Sequence, residues 1–202
     1  MQEARESDRC QFVESSASDL HPIKNSSVDV VTTRSVLIYV EDKQQAFREF
    51  YRVLKSRGRL SIFEPINRFN LSSAAHRRWG YDMEPVKGIW EKVEGVYSHL
   101  QPPKSDPMLN FDERDLMVFA EQAGFSDIHL ELQAVIRPSA ATSWDMYIRI
   151  AGNPKILTLE ETMQQVLTPD EIKQLTACLR RMVETDQGVT RSAVAYLWAV
   201  KP

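Results

Sequence analysis

The chain has 202 residues, of which 43% are apolar and 26% are charged, and its formal net charge is −3. These values are typical of a globular protein and exclude a disordered or collagen-like chain. The small negative charge gives no general attraction to nucleic acid or to anionic lipid, so we expect neither as a partner. The sequence contains no run of about 18 apolar residues and no targeting pattern, which predicts a cytoplasmic protein without contact to a membrane.

Cysteine, histidine and glycine are too scattered to form a recognised motif. Cys10 and Cys178 make no paired motif, which argues against a disulfide framework and against a structural zinc site. The four histidines are isolated from one another, so we expect no metal. The seven glycines are spread out, so the sequence contains no glycine-rich loop of the kind that approaches phosphates or nucleotides.

Short runs of β-forming residues alternate with a helical pattern in the N-terminal part of the chain, as in parallel strands joined by crossovers. The predicted strands are Cys10–Val13, Val28–Thr33 and Arg59–Glu64. Between the last two, Asp42 caps a predicted helix, and a basic turn followed by Gly58 indicates its end. The buried face of this helix is predicted to carry Ala46, Phe47, Phe50, Val53 and Leu54.

Two amphipathic helices are predicted between residues 70 and 103. The first carries Leu71 and Trp79 on its apolar face, and the second carries Trp90 and Tyr97. A single α/β domain accounts for the whole pattern, because we find neither a repeat nor a linker. The later elements are, in chain order, a helix from Asp112 to Gly124, a strand with one buried face over Ile128–Ile136, helices beginning at Thr158 and Thr168, and a strand over Ser192–Val200.

Three stretches follow one another in a characteristic order and spacing: Phe12–Leu20, Val28–Leu37 and Ala46–Pro65, the last of which contains the run Arg52–Leu60. As a set they resemble class I S-adenosylmethionine-dependent methyltransferases, and most closely the methyltransferase type 11 branch that includes enzymes of quinone biosynthesis. The resemblance implies a Rossmann-like α/β sheet with the strand order 3-2-1-4-5-7-6, in which strand 7 is antiparallel. It also implies S-adenosylmethionine as the cofactor and a small molecule as the methyl acceptor.

The resemblance assigns the predicted strands to numbers 3, 4, 5, 6 and 7 of that sheet, so strands 1 and 2 have no counterpart. We therefore expect that the sequence lacks the N-terminal third of the methyltransferase domain. One edge of the strand over Val28–Thr33 is then left exposed, which favours a homodimer through this strand edge. Within a single domain, residues 1–66 would form a partial cofactor-binding core, residues 67–110 a helical lid, and residues 111–202 the C-terminal helices and strand hairpin.

The resemblance implies that the cofactor contacts lie in two loops beyond the carboxyl ends of strands. An acidic side chain usually precedes the alanine that matches Ala17, but this sequence has Ser16 there. Asp19 either compensates for that change or caps its own loop backbone. The residues assigned to cofactor binding are Ser16, Ala17, Ser18, Asp19, Thr33 and Arg34.

Arg34 and Glu64 are the catalytic candidates, because they end two strands where the family places groups that face the transferred methyl. Methyl transfer from a sulfonium depends mainly on alignment and on exclusion of water, sometimes with a base for an acidic nucleophile. Glu64 would be that base. Alternatively, Glu64 is a structural carboxylate that caps a neighbouring loop or pairs with Arg34.

The predicted lid supplies the candidates for substrate contact. His76, Trp79, Tyr81 and Trp90 would suit a planar or apolar acceptor. Aromatic residues at helical spacing more often belong to a core, and this alternative applies to Trp90 and Tyr97. The sequence therefore leaves three functions open: a methyltransferase that needs missing N-terminal residues, a cofactor-free pseudoenzyme or partner-binding module, and an unrelated α/β binding domain.

Overall fold

The computed structural model describes residues 10–71, 77–78 and 80–202. The chain divides into two compact units, which are described separately. Unit 1 comprises Met1–Phe63, Arg114–Leu130 and Tyr196–Pro202, and unit 2 comprises Glu64–Glu113 and Glu131–Ala195. Part of the first predicted lid helix, with His76 and Trp79, lies outside the described residues.

Helices and strands alternate along the described chain. Short 3₁₀ turns occupy Leu37–Tyr39 and Glu84–Val86. The elements are, in order, β1 (Val28–Arg34), α1 (Lys43–Val53), β2 (Leu54–Pro65), α2 (Arg68–Leu71), β3 (Arg77–Arg78), β4 (Tyr81–Asp82), α3 (Lys87–Leu100), α4 (Glu113–Ala123), β5 (Ser126–Pro138), α5 (Trp144–Arg149), α6 (Leu159–Val166), α7 (Pro169–Glu184) and β6 (Val189–Val200).

Four strands form one sheet in the order β1-β2-β6-β5. β1 and β2 are parallel, with Val31 opposite Leu60. β6 runs antiparallel to β2. Near the start of β2, the Arg57 amide donates over 2.8 Å to the carbonyl of Lys201, which follows the end of β6. Near the end of β2, the Phe63 ring contacts the ring of Tyr196, which lies earlier in β6.

β5 runs antiparallel to β6 in the same way. Ser126 donates to the Val200 carbonyl, and the His129 ring stacks on Trp198 at 5.2 Å. β1, β2, β6 and β5 therefore reproduce the order 4-5-7-6 implied by the sequence resemblance, with strand 7 antiparallel. The α/β fold class and the position of these four strands are confirmed.

The strand predicted over Cys10–Val13 does not form. Residues 10–15 have no regular structure, and the Phe12 side chain is 95% exposed. A strand needs a neighbour that satisfies its backbone groups. Among the described residues this run has no ladder partner, and the nearest pairing is an isolated bridge between Ser16 and Asp19. This part of the predicted sheet is wrong.

Helix α1 begins as predicted but ends earlier. Asp42 accepts a hydrogen bond from the Gln45 amide over 2.8 Å, which caps the first turn. The helix ends at Val53 and not beside Gly58, since the backbone of Leu54 is already extended, and Lys201 Nζ donates to the Tyr51 and Leu54 carbonyls at 2.8 and 2.7 Å. A distant lysine thus satisfies the last carbonyls, and β2 starts at once.

Gly58 allows its own backbone to lie close to the backbone of Lys55 within β2. A Cβ atom at this position would lie 2.7 Å from the Lys55 carbonyl oxygen. Such a contact is too short for any other residue without a shift of the backbone.

The first predicted lid helix is only partly described. Among the described residues of this stretch, Arg68–Leu71 is helical, whereas Arg77–Arg78 pairs antiparallel with Tyr81–Asp82. Gly80 adopts a φ of 89°, in the left-handed region that is accessible mainly to glycine, at the turn of that pairing. The predicted helix is therefore wrong at Arg77–Arg78.

In unit 2, helices α3, α5, α6 and α7 pack on one another. The two helices begin at Thr158 and Thr168 as predicted, and each threonine forms a capping box, with Glu161 and Glu171 as the reciprocal partners. The shared core is apolar and consists of Tyr81, Met83, Trp90, Val93, Tyr97, Trp144, Ile148, Leu159, Met163, Leu167, Leu175, Leu179 and Val183.

The last two strands differ in burial. One face of β6 is buried, by Ala193, Ala195, Leu197 and Ala199. β5 was predicted to have one buried face, but residues 131–138 are all exposed. The described residues bury neither face of this half of β5. The prediction of one buried face is therefore wrong for residues 131–138. Within the described ranges, no helix combines the length and apolar character needed to cross a bilayer.

Leu175 tests the helical core of unit 2. Its side chain is fully buried on α7, so Leu175→Ala leaves a cavity and we expect the free energy of unfolding to fall by about 2–5 kcal/mol. Gln174→Ala, one position earlier and exposed, is the control, with an expected change within about 0.5 kcal/mol. Urea unfolding followed by circular dichroism measures both, and equal effects would contradict the core assignment.

Candidate functional site

The turn assigned to cofactor binding closes on itself. The Asp19 amide donates to the Ser16 carbonyl over 2.9 Å, and the Ser16 and Ser18 hydroxyls lie 2.9 Å apart. Ser15 Oγ donates to the Asp19 carbonyl. Asp19 Oδ1 accepts from the His21 amide and lies 3.2 Å from its Nδ1. This geometry matches the alternative in which Asp19 caps its own backbone, and a cofactor role for the turn stays a prediction.

An ion pair on α1 fixes the loop that follows this turn. Arg52 Nε and Nη2 donate to the two Glu49 carboxylate oxygens, each over 2.8 Å. Glu49 Oε2 also accepts from the Leu20 amide over 2.7 Å, and Arg52 Nη2 donates to the Leu20 carbonyl over 2.8 Å. Arg52 Nη1 donates to the Ile23 carbonyl and to Asn25 Oδ1. The pair therefore binds both sides of the loop backbone.

Each member of this pair stabilises the charged form of the other. The hydrogen bonds from Arg52 lower the pKa of Glu49 below its ordinary value, and those bonds raise the pKa of Arg52. Both groups stay ionised near neutral pH. After the loop, the Ser26 and Ser27 amides donate to the carbonyls of Arg52 and Val53 at the end of α1. These bonds hold the chain against α1 immediately before β1 begins.

Thr33, Arg34 and Ser35 lie at the carboxyl end of β1, as predicted. Thr33 Oγ1 is buried and has no hydrogen-bond partner among the described residues. The Arg34 guanidinium lies 4.8 Å from the centroid of the Phe63 ring, a cation–π contact. Ser35 adopts a φ of 54°, and its amide donates to the Phe63 carbonyl over 2.9 Å. Strained, left-handed residues cluster at ligand sites, and a buried hydroxyl without a protein partner has capacity for a water or a ligand.

Glu64 belongs to unit 2 and is fully buried near the end of β2. A buried carboxylate needs hydrogen-bond partners, because the loss of water otherwise penalises its charge. Complete burial favours the structural alternative over a base that meets substrate in this conformation. The catalytic role of Glu64 stays a prediction.

The described lid candidates belong to the core of unit 2. Tyr81 and Trp90 are 3% and 6% exposed, and Tyr97 is 3% exposed. The Tyr81 ring contacts the Tyr147 ring edge-on at 5.6 Å. This burial favours the core alternative for Trp90 and Tyr97, and substrate contact by Tyr81 or Trp90 stays a prediction.

The phenols in this core are kept neutral. Burial raises the pKa of Tyr81, and the negative charge of Asp186 adds to that effect. Burial raises the pKa of Tyr147 strongly. Neither phenol is therefore available as a base near neutral pH.

The residues in these two loops do not by themselves fit S-adenosylmethionine. The hydroxyls and the carboxylate of the Ser15–Asp19 turn contact one another or neighbouring backbone. The Thr33 hydroxyl is the one buried group of the predicted cofactor set that has unused hydrogen-bonding capacity in the described part of the chain. The described residues also contain no group of three or more side chains that would hold a metal ion.

Arg52→Ala tests the loop anchor. Its loss removes the hydrogen bonds that Arg52 donates to the Leu20 and Ile23 carbonyls and to the Glu49 carboxylate, so we expect the free energy of unfolding to fall by about 1–3 kcal/mol. Amide hydrogen exchange should accelerate across residues 16–27. Arg48→Ala, exposed on the same helix, is the control and should change neither quantity. Unchanged exchange in Arg52→Ala would show that the loop is held by something else.

The pKa of Glu49 predicts a pH dependence of stability. Because this pKa is lowered in the folded protein, the pair stabilises the fold fully above about pH 4.5, where Glu49 ionises in the unfolded chain. The contribution is lost as the pH falls through the lower folded pKa. The unfolding free energies of the native chain and Glu49→Gln should therefore converge on acidification. Glu121→Gln, at an exposed position of α4, serves as the control. If the difference in unfolding free energy between the native chain and Glu49→Gln did not depend on pH, this prediction would be refuted.

Comparison with known proteins agrees with the motifs of the N-terminal part. Residues 1–62 match the family described as a methyltransferase domain. The ubiquinone/menaquinone biosynthesis C-methyltransferase UbiE of Cronobacter sakazakii is 28% identical over 127 residues, which are 59% of this chain and 47% of that protein. The chain thus matches about half the length of this curated relative.

Solved structures with similar folds include the YcgJ protein of Bacillus subtilis, at 15% identity and a TM-score of 0.47, covering 95% of this chain and 70% of that one. A SAM-dependent methyltransferase of Thermotoga maritima has 16% identity and a TM-score of 0.45, covering 94% of this chain and 63% of that one. The resemblance of this chain to class I S-adenosylmethionine-dependent methyltransferases, indicated by its sequence, is confirmed by the match of residues 1–62 to the methyltransferase domain family.

Proposed function

We propose that the chain is the trailing part of an S-adenosylmethionine-dependent methyltransferase that acts on a small molecule, and that cofactor binding needs residues that it does not contain. The observation that carries the proposal is the strand arrangement: β1 and β2 are parallel neighbours, followed by antiparallel β6 and then β5. This is the second half of the sheet that the resemblance implies. Residues that precede the chain would pair with the outer edge of β1.

Two observations support a small-molecule acceptor. The curated relative is named as a C-methyltransferase of ubiquinone and menaquinone biosynthesis, whose acceptor is a small molecule by that name. The net charge of −3 gives no attraction to a polyanionic acceptor such as a nucleic acid.

The carboxyl end of β1 would be the ligand side of this half. In open α/β sheets, ligands bind beyond the carboxyl ends of the strands. The buried Thr33 hydroxyl and the left-handed backbone of Ser35 support a ligand contact there. Arg34 is exposed and contacts the face of the Phe63 ring, which favours one orientation of the guanidinium in the absence of a ligand. Ser16, Ala17, Ser18 and Asp19 would contribute through the turn that precedes the loop bound by the Glu49–Arg52 pair.

One observation favours the alternative of a cofactor-free partner-binding protein. The Ser15–Asp19 turn satisfies its polar groups internally, so it is stable without a ligand. A domain that has lost cofactor binding would retain such a turn as ordinary loop structure. The two proposals differ in whether restoring preceding residues creates a cofactor site.

Calorimetric titration with S-adenosylmethionine separates them. We expect no detectable binding to the 202-residue chain, and binding once the chain is extended by the residues encoded directly upstream. Micromolar affinity of the chain alone would refute the need for further residues. Failure of the extended protein to bind would favour the partner-binding alternative.

Thr33→Val in the extended protein probes the site itself. It keeps the shape of the side chain but removes the hydroxyl, so we expect about fivefold weaker cofactor binding from the loss of one hydrogen bond. Thr32→Val, on the exposed side of the same strand, is the matched control and should bind normally. Equal affinity of both variants would show that the Thr33 hydroxyl does not contact the cofactor.

A further inference from the structure

The second half of β5, residues 131–138, is exposed and lies at an edge of the sheet. β5 stands at one end of the strand order, so only one side of its backbone pairs with β6. All residues from 131 to 138 are exposed, and the apolar side chains Leu132, Val135 and Ile136 are 43%, 40% and 56% exposed. A long apolar edge of this kind is a template for pairing with another strand.

The sequence of this edge is complementary to itself when reversed. In an antiparallel register centred on Ala134, Glu131 stands opposite Arg137, and Leu132 stands opposite Ile136. Alternation then places the charged pair on one face and the apolar pair on the other. In the part of the chain that the structure describes, neither Glu131 nor Arg137 makes an ion pair, so both charges are available.

We propose that β5 pairs antiparallel with β5 of a second copy of this chain, with the twofold axis at Ala134. The axis repeats every contact, so two Glu131–Arg137 pairs and two Leu132–Ile136 pairs form in one interface. Opposite charges and apolar residues that face each other across antiparallel strands stabilise the pairing. The outer backbone groups of this half of β5 also gain partners.

The other edge of the sheet is less suited to this contact. The sequence singled out the strand that is now β1, but the charges of β1 are already engaged. Asp29 binds Lys55 Nζ at 2.8 Å, and Arg34 lies over Phe63. A second copy at β1 would compete with those contacts, whereas at β5 it would use charges without partners in the described chain. The proposal for β5 does not depend on the proposed methyltransferase function.

Charge reversal tests both the interface and its register. We expect sedimentation velocity to show a concentration-dependent dimer for the native chain. Glu131→Arg and Arg137→Glu should each weaken dimerisation about tenfold, because each places like charges opposite one another twice. Combining both substitutions in one chain should restore the dimer, because the pairs are opposite in sign again. Mixing the two single variants should give a heterodimer in preference to either homodimer.

Glu121→Arg is the matched control, since it makes the same charge change on an exposed part of α4. It should leave dimerisation unchanged. A native chain that is monomeric at all concentrations would overturn the proposal. So would a dimer that responds equally to Glu121→Arg and Glu131→Arg, or one that the double substitution does not restore. Circular dichroism establishes that each variant retains its secondary structure.

Discussion

The ion pair of Glu49 with Arg52 determines how the chain reaches its sheet. Residues 10–15 form no strand, so backbone pairing does not hold this segment in place. Instead, two side chains on α1 bind the amide and carbonyl of Leu20 and the carbonyl of Ile23. The guanidinium has donors enough for the carboxylate and both carbonyls at once, which a lysine would not supply. The arginine that begins the run Arg52–Leu60 of the third methyltransferase-like stretch is thus a structural anchor.

The two outer strands of the sheet have different chemical character. At the carboxyl end of β1, a buried hydroxyl has no hydrogen-bond partner among the described residues, and it is followed in sequence by an arginine that contacts Phe63 and a left-handed serine, which suits the proposed ligand. Along the edge of β5, exposed apolar residues lie between charges that make no ion pair within the described ranges, which suits the proposed copy of the same strand. The proposed ligand contact therefore uses the end of one strand, and the proposed dimer contact uses the edge of another.

Sequence reasoning located the candidate site better than it described its contacts. It placed Thr33 and Arg34 at the end of a strand, which the structure confirms as the end of β1. It left open whether Asp19 caps its own loop, and the hydrogen bonds to His21 favour that alternative. It offered Trp90 as a substrate contact or a core residue, and its burial favours the core. These choices depend on neighbours that no spacing rule specifies.

What the sequence by itself determined is local: the Asp42 cap, the starts of α6 and α7 at Thr158 and Thr168, and the alternation of residues along β6. A cap joins atoms within four residues, and alternation is a property of one strand, so a short window of sequence contains all the partners. Tertiary structure alone decided that Lys201 binds the carbonyls at the end of α1, that residues 10–13 have no strand partner within the described ranges, and that half of β5 is exposed. Each of these outcomes depends on which distant segment supplies, or fails to supply, a partner for the backbone or an apolar surface.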